Sequence, residues 1–115
     1  MAMVFVFGSN LAGRHGMGAA KYAKEHFGAV YGIGKGRTGN AYAIPTKDKN
    51  LNTLTLNEIG EHIKMFVEYA QKHPEDFFLL TPVGTGLAGH SKKDIARLLR
   101  QHKLTPNIVL TNSWL

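Results

Sequence analysis

The chain reads as an α/β protein built on a layered sheet, and three observations predict this. Short apolar runs, MVFVF, AYAIPTK, DFFLLTPV and NIVLTN, alternate with segments of helical period, the order that lays helices on a mostly parallel sheet. Three loops, GSNLAGRHGMG, TKDKN and GTGLAGHS, leave the strands at one end, where sheets of this kind place their ligands. The 115 residues, 43% hydrophobic and 19% charged, suffice for one core and a single domain over residues 1–115.

The elements follow in order. MVFVF (3–7) is a short strand, and SNLAGRHG (9–16) is the loop after it. MGAAKYAKEHF (17–27) is a helix stopped by Gly28, a natural residue for the left-handed position past a helix end. AVYGIGKGRTGN is loose and glycine-rich, and AYAIPTK (41–47) is the second strand. Thr55 and Glu58 then make a T-x-x-E capping box. Leu56, Ile59, Ile63, Phe66, Val67 and Ala70 recur at helical spacing up to His73, with Pro74 beyond. DFFLLTPV (76–83) is apolar throughout, which predicts a strand covered on both faces. Ser91 with Asp94 opens a third helix through a second capping box, burying Ile95, Leu98 and Leu99. NIVLTN (107–112) is the last strand.

Composition excludes several classes. No run of about 18 apolar residues occurs, and MAMVFVFGSN enters a strand directly, without the pattern of a signal peptide. The absence of cysteine removes disulfides, thiolate nucleophiles and Cys-based zinc sites. The expected location is the cytoplasm. Fourteen Lys and Arg against eight Asp and Glu give a formal charge of +6, which favours an anionic partner. The charge is dispersed, so no nucleic-acid tail is indicated.

Two glycine loops carry the functional signal. GSNLAGRHGMGAA sets Gly8, Gly16 and Gly18 around Ser9, Asn10, Arg14 and His15 at a strand-to-helix junction. GTGLAGHS sets Gly84, Thr85, Gly86, Leu87, Ala88, Gly89 and His90 at another. Clustered glycine at a helix mouth permits close approach of backbone amides to a ligand, and the helix end favours phosphate. GKGRTG (34–39) fits G-x-G-x-x-G but precedes a strand, which fails the context of a dinucleotide fold. It reads as a mobile flap or turn from which Lys35 and Arg37 could reach an anion. Lys47 closes the second strand on the same edge; it suits a phosphate clamp or a nucleophile toward a sugar aldehyde, although spacing alone favours a solvated lysine. His15 and His90 lie in the glycine loops and suit phosphate contact or stacking on a base. No metal motif and no Ser-His-Asp arrangement is present, and no cofactor is expected. AVYGIGKGRTG and Trp114 offer a surface for a partner, a second copy included.

MGAAKYA, KEHFG, the strand end Thr46–Lys47, and GTGLA following TPV together resemble the macro domain, an ADP-ribose-binding fold. The likeness is closest to the short branch of lysine-dependent terminal ADP-ribose glycohydrolases and runs from about Val4 to about Trp114. The chain also resembles a small family of non-structural proteins from tailed-phage genomes. The macro-domain resemblance implies a three-layer α/β/α sandwich with a small mixed sheet. It implies that Asn10, Gly16 and Gly18 hold the distal ribose of an ADP-ribose-type nucleotide and that residues 84–88 grip its diphosphate. Lys47 is the counterpart of the attacking lysine. That branch carries an Asp directly after G-L of the second loop, where this chain has Ala88. Loss of a proton-transfer partner costs about 10²–10⁴ in rate; His90 is a substitute in reach, and Asp48 points the other way along the strand. The expectation is therefore a binder of ADP-ribose or a derived signal, sequestering it in the host cytoplasm if the chain is phage-encoded. The alternatives are a glycohydrolase or N-glycosidase acting through Lys47, and a basic RNA- or protein-binding module.

Overall fold

The computed structural model describes residues 1–115 and contains one five-stranded sheet with three α-helices. The order is β1 (Met3–Asn10), α1 (Gly18–His26), β2 (Gly36–Thr38), β3 (Ala41–Lys47), α2 (Leu56–Lys72), β4 (Phe77–Leu80), α3 (Lys92–Arg100) and β5 (Ile108–Leu110), with a 3₁₀ turn at Asn112–Trp114. The strands lie in the order β2-β3-β1-β4-β5. β1, β3, β4 and β5 run parallel, while β2 is antiparallel to β3, so the sheet is mixed as expected.

Connectivity decides the layers. The chain steps from β1 to β3 in one direction, then back past β1 to β4 and on to β5. Parallel crossovers are right-handed, so reversing the direction moves the connecting helices to the opposite face. α1 accordingly packs Ala20 and Ala23 on Phe7, Ala41 and Ala43. α2 and α3 cover the other face, where Ile59, Ile63, Phe66, Val67, Ile95 and Leu98 meet Val4, Val6, Ile44, Phe78 and Leu80. The result is the three-layer α/β/α sandwich. Its larger core hangs on α2, where truncating fully buried Phe66 to Ala would cost about 3–5 kcal/mol.

Several limits differ from the sequence reading. β1 continues through Ser9 and Asn10, because Gly8, Ser9 and Asn10 pair with Ile44, Pro45 and Lys47; the first loop is therefore shorter than 9–16. β4 ends at Leu80, and its burial alternates. α1 reaches only β1 and β3, so Met3, Phe77 and Val109 on that face stay about half exposed. The strand buried over nearly its whole length is β3, Ala41 to Thr46. The capping box of α2 forms in both directions, and its two bonds from Thr55 hold the Glu58 carboxyl below its usual range. In α3 only the Ser91 hydroxyl caps, accepting from the Asp94 N–H, while the Asp94 carboxylate turns to Arg97.

GKGRTG is no free flap. Gly36–Thr38 forms the antiparallel edge strand, and the Arg37 guanidinium is consumed by Asp76, Tyr69 and the Gly39 carbonyl. Trp114 is only partly exposed: its indole N–H donates to the Leu80 carbonyl and its ring packs against the core. Val30, Tyr31 and Ile33 of the preceding segment do remain exposed.

Asp76 ties the edge together, accepting from the Ala2 N–H and from Arg37. The Ala2 amide chiefly, with Arg37, holds its carboxyl below the usual range despite burial. A depressed carboxylate contributes stability above its unfolded pKa, and the contribution is lost as pH falls through the folded value. The urea midpoint should therefore drop on acidification below about pH 4. Asp76→Asn should lower the midpoint at neutral pH and shrink the acid-dependent part to what Glu58, the buried His15 and the half-buried His62, whose ring pKa values burial lowers, supply. An unchanged acid slope in the variant would show that the Asp76 cluster does not carry it.

Candidate functional site

The carboxyl ends of β1, β3 and β4 open on a cleft of about 750 Å³. Its origin is a mismatch in strand length. β1 pairs with β4 only from Met3 to Val6, but with β3 from Phe5 as far as Asn10. After Leu80 the chain turns away, held by the Thr81 hydroxyl and N–H donating to the Val6 carbonyl. The end of β1 is thus left with one edge unpaired. The loop after β4 folds back over it, so that a Cβ on Gly8 would meet the Gly84 nitrogen at 3.2 Å.

Most residues singled out in the sequence line this cleft: Gly8, Ser9 and Asn10 from the end of β1, Arg14 and Gly16 from the loop after it, Gly18 from the start of α1, Lys47 from β3, and Gly84 to Ala88 from the second loop. Three do not. His15 is fully buried beneath the 29–35 segment, edge-on to Phe7 and Tyr31. Neither ring nitrogen completes a hydrogen bond. Burial lowers its pKa, an effect the nearby Ile33 backbone opposes only in part; the ring is a neutral core group. His90 turns its Nε2 to the Leu54 carbonyl. Gly89 serves a turn, with φ of 84° and its N–H donating to Gly86. Asn10 lines the cleft, yet its side chain is consumed: Oδ1 accepts from the Arg14 N–H and Nδ2 donates to the Arg14 carbonyl. It shapes the loop that presents Arg14.

What the walls offer is backbone N–H and positive charge. The amides of Gly84, Gly86, Leu87 and Ala88 donate to no protein acceptor, nor do those of Gly16 to Ala20 opposite. The start of α1 has no side-chain cap, whereas α2 and α3 are capped by Thr55 and Ser91. Of the two helix starts that follow the glycine loops, only that of α1 lines the cleft, through Gly18, Ala19 and Ala20. Its orphan donors and dipole favour an anion. Arg14 and Lys47 are the charged side chains of the lining, and no carboxylate belongs to it. Asp48 is engaged elsewhere, accepting from the Asn50 and Asn52 N–H groups. No group of His, Asp and Glu suited to a metal ion occurs.

The sequence reading missed Met17, Ala19, Leu51, Thr81 and Ser113, which also line the cleft. Asp48, Asn50 and Asn52 signal a turn that carries Leu51, but nothing local marks Ser113. A second cavity, of about 330 Å³ between Pro74, Phe77 and Pro106, is lined without charged residues.

Among solved structures the fold is similar to a protein of unknown function from Bacteroides thetaiotaomicron, with a TM-score of 0.66 and 13% identity over 95% of this chain and 85% of that one. At that identity the likeness is one of fold alone. No protein-family model and no curated protein matches the chain. No helix is long and apolar enough to cross a membrane.

Glycines of the segment before β2 and of the second loop have different roles. A Cβ on Gly34 would lie 1.9 Å from the Asn10 carbonyl oxygen, whereas one on Gly86 would meet nothing within 4 Å. Gly34→Ala should cost about 3 kcal/mol or more through overpacking. Gly86→Val should leave stability within about 0.5 kcal/mol of the parent. Urea titration of both variants checks this, and a large loss in Gly86→Val would mean that loop is packed by the protein itself.

Proposed function

We propose that the cleft binds ADP-ribose or a signalling nucleotide derived from it, without turning it over. One observation carries the reading: unpaired backbone amides on two facing walls share a single cleft with Arg14 and Lys47 and with no carboxylate. That is an environment for a phosphate-bearing anion. The volume lies within the range of small-molecule sites. The diphosphate would rest between the free amides of Gly84, Gly86, Leu87 and Ala88 and the start of α1, with Lys47 beside the distal ribose, as the macro-domain resemblance suggests. Sequestration of such a nucleotide during phage infection is the role that the resemblance to phage proteins suggests.

A second reading keeps Lys47 as a nucleophile. Its side chain pairs with no carboxylate and lines the cleft. It lacks a proton-transfer partner there, because Ala88 stands where the related branch has Asp and His90 is bonded to Leu54. Binding without hydrolysis follows.

Titration calorimetry with ADP-ribose, its cyclic and amino-acid-linked forms and NAD, followed by chromatography of each mixture, tests this. The expected outcome is binding with the ligand recovered intact. Lys47→Ala should weaken it by roughly tenfold to a hundredfold, the loss of one charge-assisted bond. Gly86→Val should weaken it by about tenfold or more through steric exclusion of the ligand. Product formation abolished by Lys47→Ala would install the glycohydrolase. RNA binding that falls steeply with salt and ignores Gly86→Val would install the basic module. No heat from any of these nucleotides would refute the proposal.

A further inference from the structure

Leu51 has a φ of 65°, the one non-glycine residue of the chain in the left-handed region. A leucine there is strained, and such strain persists only where surrounding structure imposes it, often at a functional site. The turn that imposes it is well built. The Asp48 carboxylate accepts from the Asn50 and Asn52 N–H groups, the Asp48 N–H donates to the Asn52 carbonyl, and the Thr53 hydroxyl ties the turn to the Ala88 carbonyl of the second glycine loop. Asn tolerates this backbone region best among non-glycine residues, and Asn50 and Asn52 flank the position. Even so, the strained residue is an apolar one, 44% exposed at the cleft. Two further large apolar side chains line the cleft from two other loops, Met17 at 66% and Leu87 at 69% exposure. Single exposed apolar residues need no explanation; three from three separate segments around one cleft do.

The polar side chains of the lining offer little for reading the edge of a base. The hydroxyls of Ser9, Thr46, Thr81 and Thr85 each donate to a backbone carbonyl, and that of Ser113 pairs with Thr111. The Asn10 amide is consumed by Arg14, and no Asp, Glu or Gln lines the cleft. Discrimination between similar ligands by large factors requires buried polar groups that the wrong ligand leaves unpaired. The one donor of each of the Ser9, Thr46, Thr81 and Thr85 hydroxyls, and both functions of the Asn10 amide, are already spent within the chain.

We propose that Met17, Leu51 and Leu87 form an aliphatic clamp on the flat, uncharged ring of the ligand, so that the cleft selects a nucleoside diphosphate by charge and shape and accepts purine and pyrimidine bases alike. This rests on the anion-binding reading of the same cleft. Calorimetry of the full chain with ADP, UDP and inorganic pyrophosphate tests it. ADP and UDP should bind within about fivefold of each other, each more tightly than pyrophosphate. Leu51→Gly, which relieves the strained φ, should leave the melting temperature unchanged or raised. It should weaken ADP and UDP about tenfold, corresponding to loss of roughly half the apolar burial of a leucine, and leave pyrophosphate unaffected. Met17→Ala and Leu87→Ala should act in the same direction. ADP bound over a hundredfold more tightly than UDP would overturn the proposal. So would an equal loss for pyrophosphate in Leu51→Gly, or ADP affinity unchanged in that variant. Pyrophosphate binding to which the base adds nothing would sink the clamp alone; no binding of any of the three would sink the anion reading as well.

Discussion

Much of the molecule depends on β1 being longer than one of its neighbours. Paired with β4 from Met3 to Val6 and with β3 from Phe5, it keeps only β3 from Phe7 onward. An unpaired strand edge inside a small protein needs something over it. Here it is covered by the chain after β4, which returns close enough for Gly8 to face the Gly84 backbone. Pro45, which lacks an N–H, falls beyond the last pairing of β3 with β2, where a missing donor costs no ladder bond on that side. The cleft is the space left when a parallel sheet ends unevenly at the point where its strand order reverses.

The same few elements set the electrostatics. The backbone supplies donors on both walls, and Arg14 and Lys47 supply charge. The acidic groups near the lining in sequence are engaged elsewhere: Asp48 in its own turn, Asp94 with Arg97, and Asp76 with the distant Arg37. Anion preference therefore arises from where the carboxylates are engaged as much as from the formal charge of +6. The aliphatic rim adds an apolar surface to a polar floor, and the strained turn at Leu51 sets part of that rim.

The two histidines of the glycine loops show how sequence proximity misleads. His15 and His90 each stand within a few residues of lining positions. A single turn of the backbone sends one ring into the core against Phe7 and the other to the Leu54 carbonyl. Glycines divide in the same way, since Gly34 is required by the Asn10 backbone and Gly86 by nothing in the protein.

Read alone, the sequence determined the type and order of most elements, because those depend on short-range signals: the apolar period of α2, the Thr55–Glu58 box, the apolar strands, the glycine after α1. It also marked the two loops that form the cleft, since glycine clusters at strand ends are local features. Tertiary structure decided the rest. Pairing with β3 extended β1 over Ser9 and Asn10, and pairing across Gly36–Thr38 made an edge strand out of an apparent flap. The cap of Ser91 on α3 left the uncapped start of α1 as the helix end facing the cleft. Packing alone brought Leu51 and Ser113, distant in sequence from both loops, to the same cleft. Hydrogen-bond partners dozens of residues apart settle these matters, and no window of local sequence contains them.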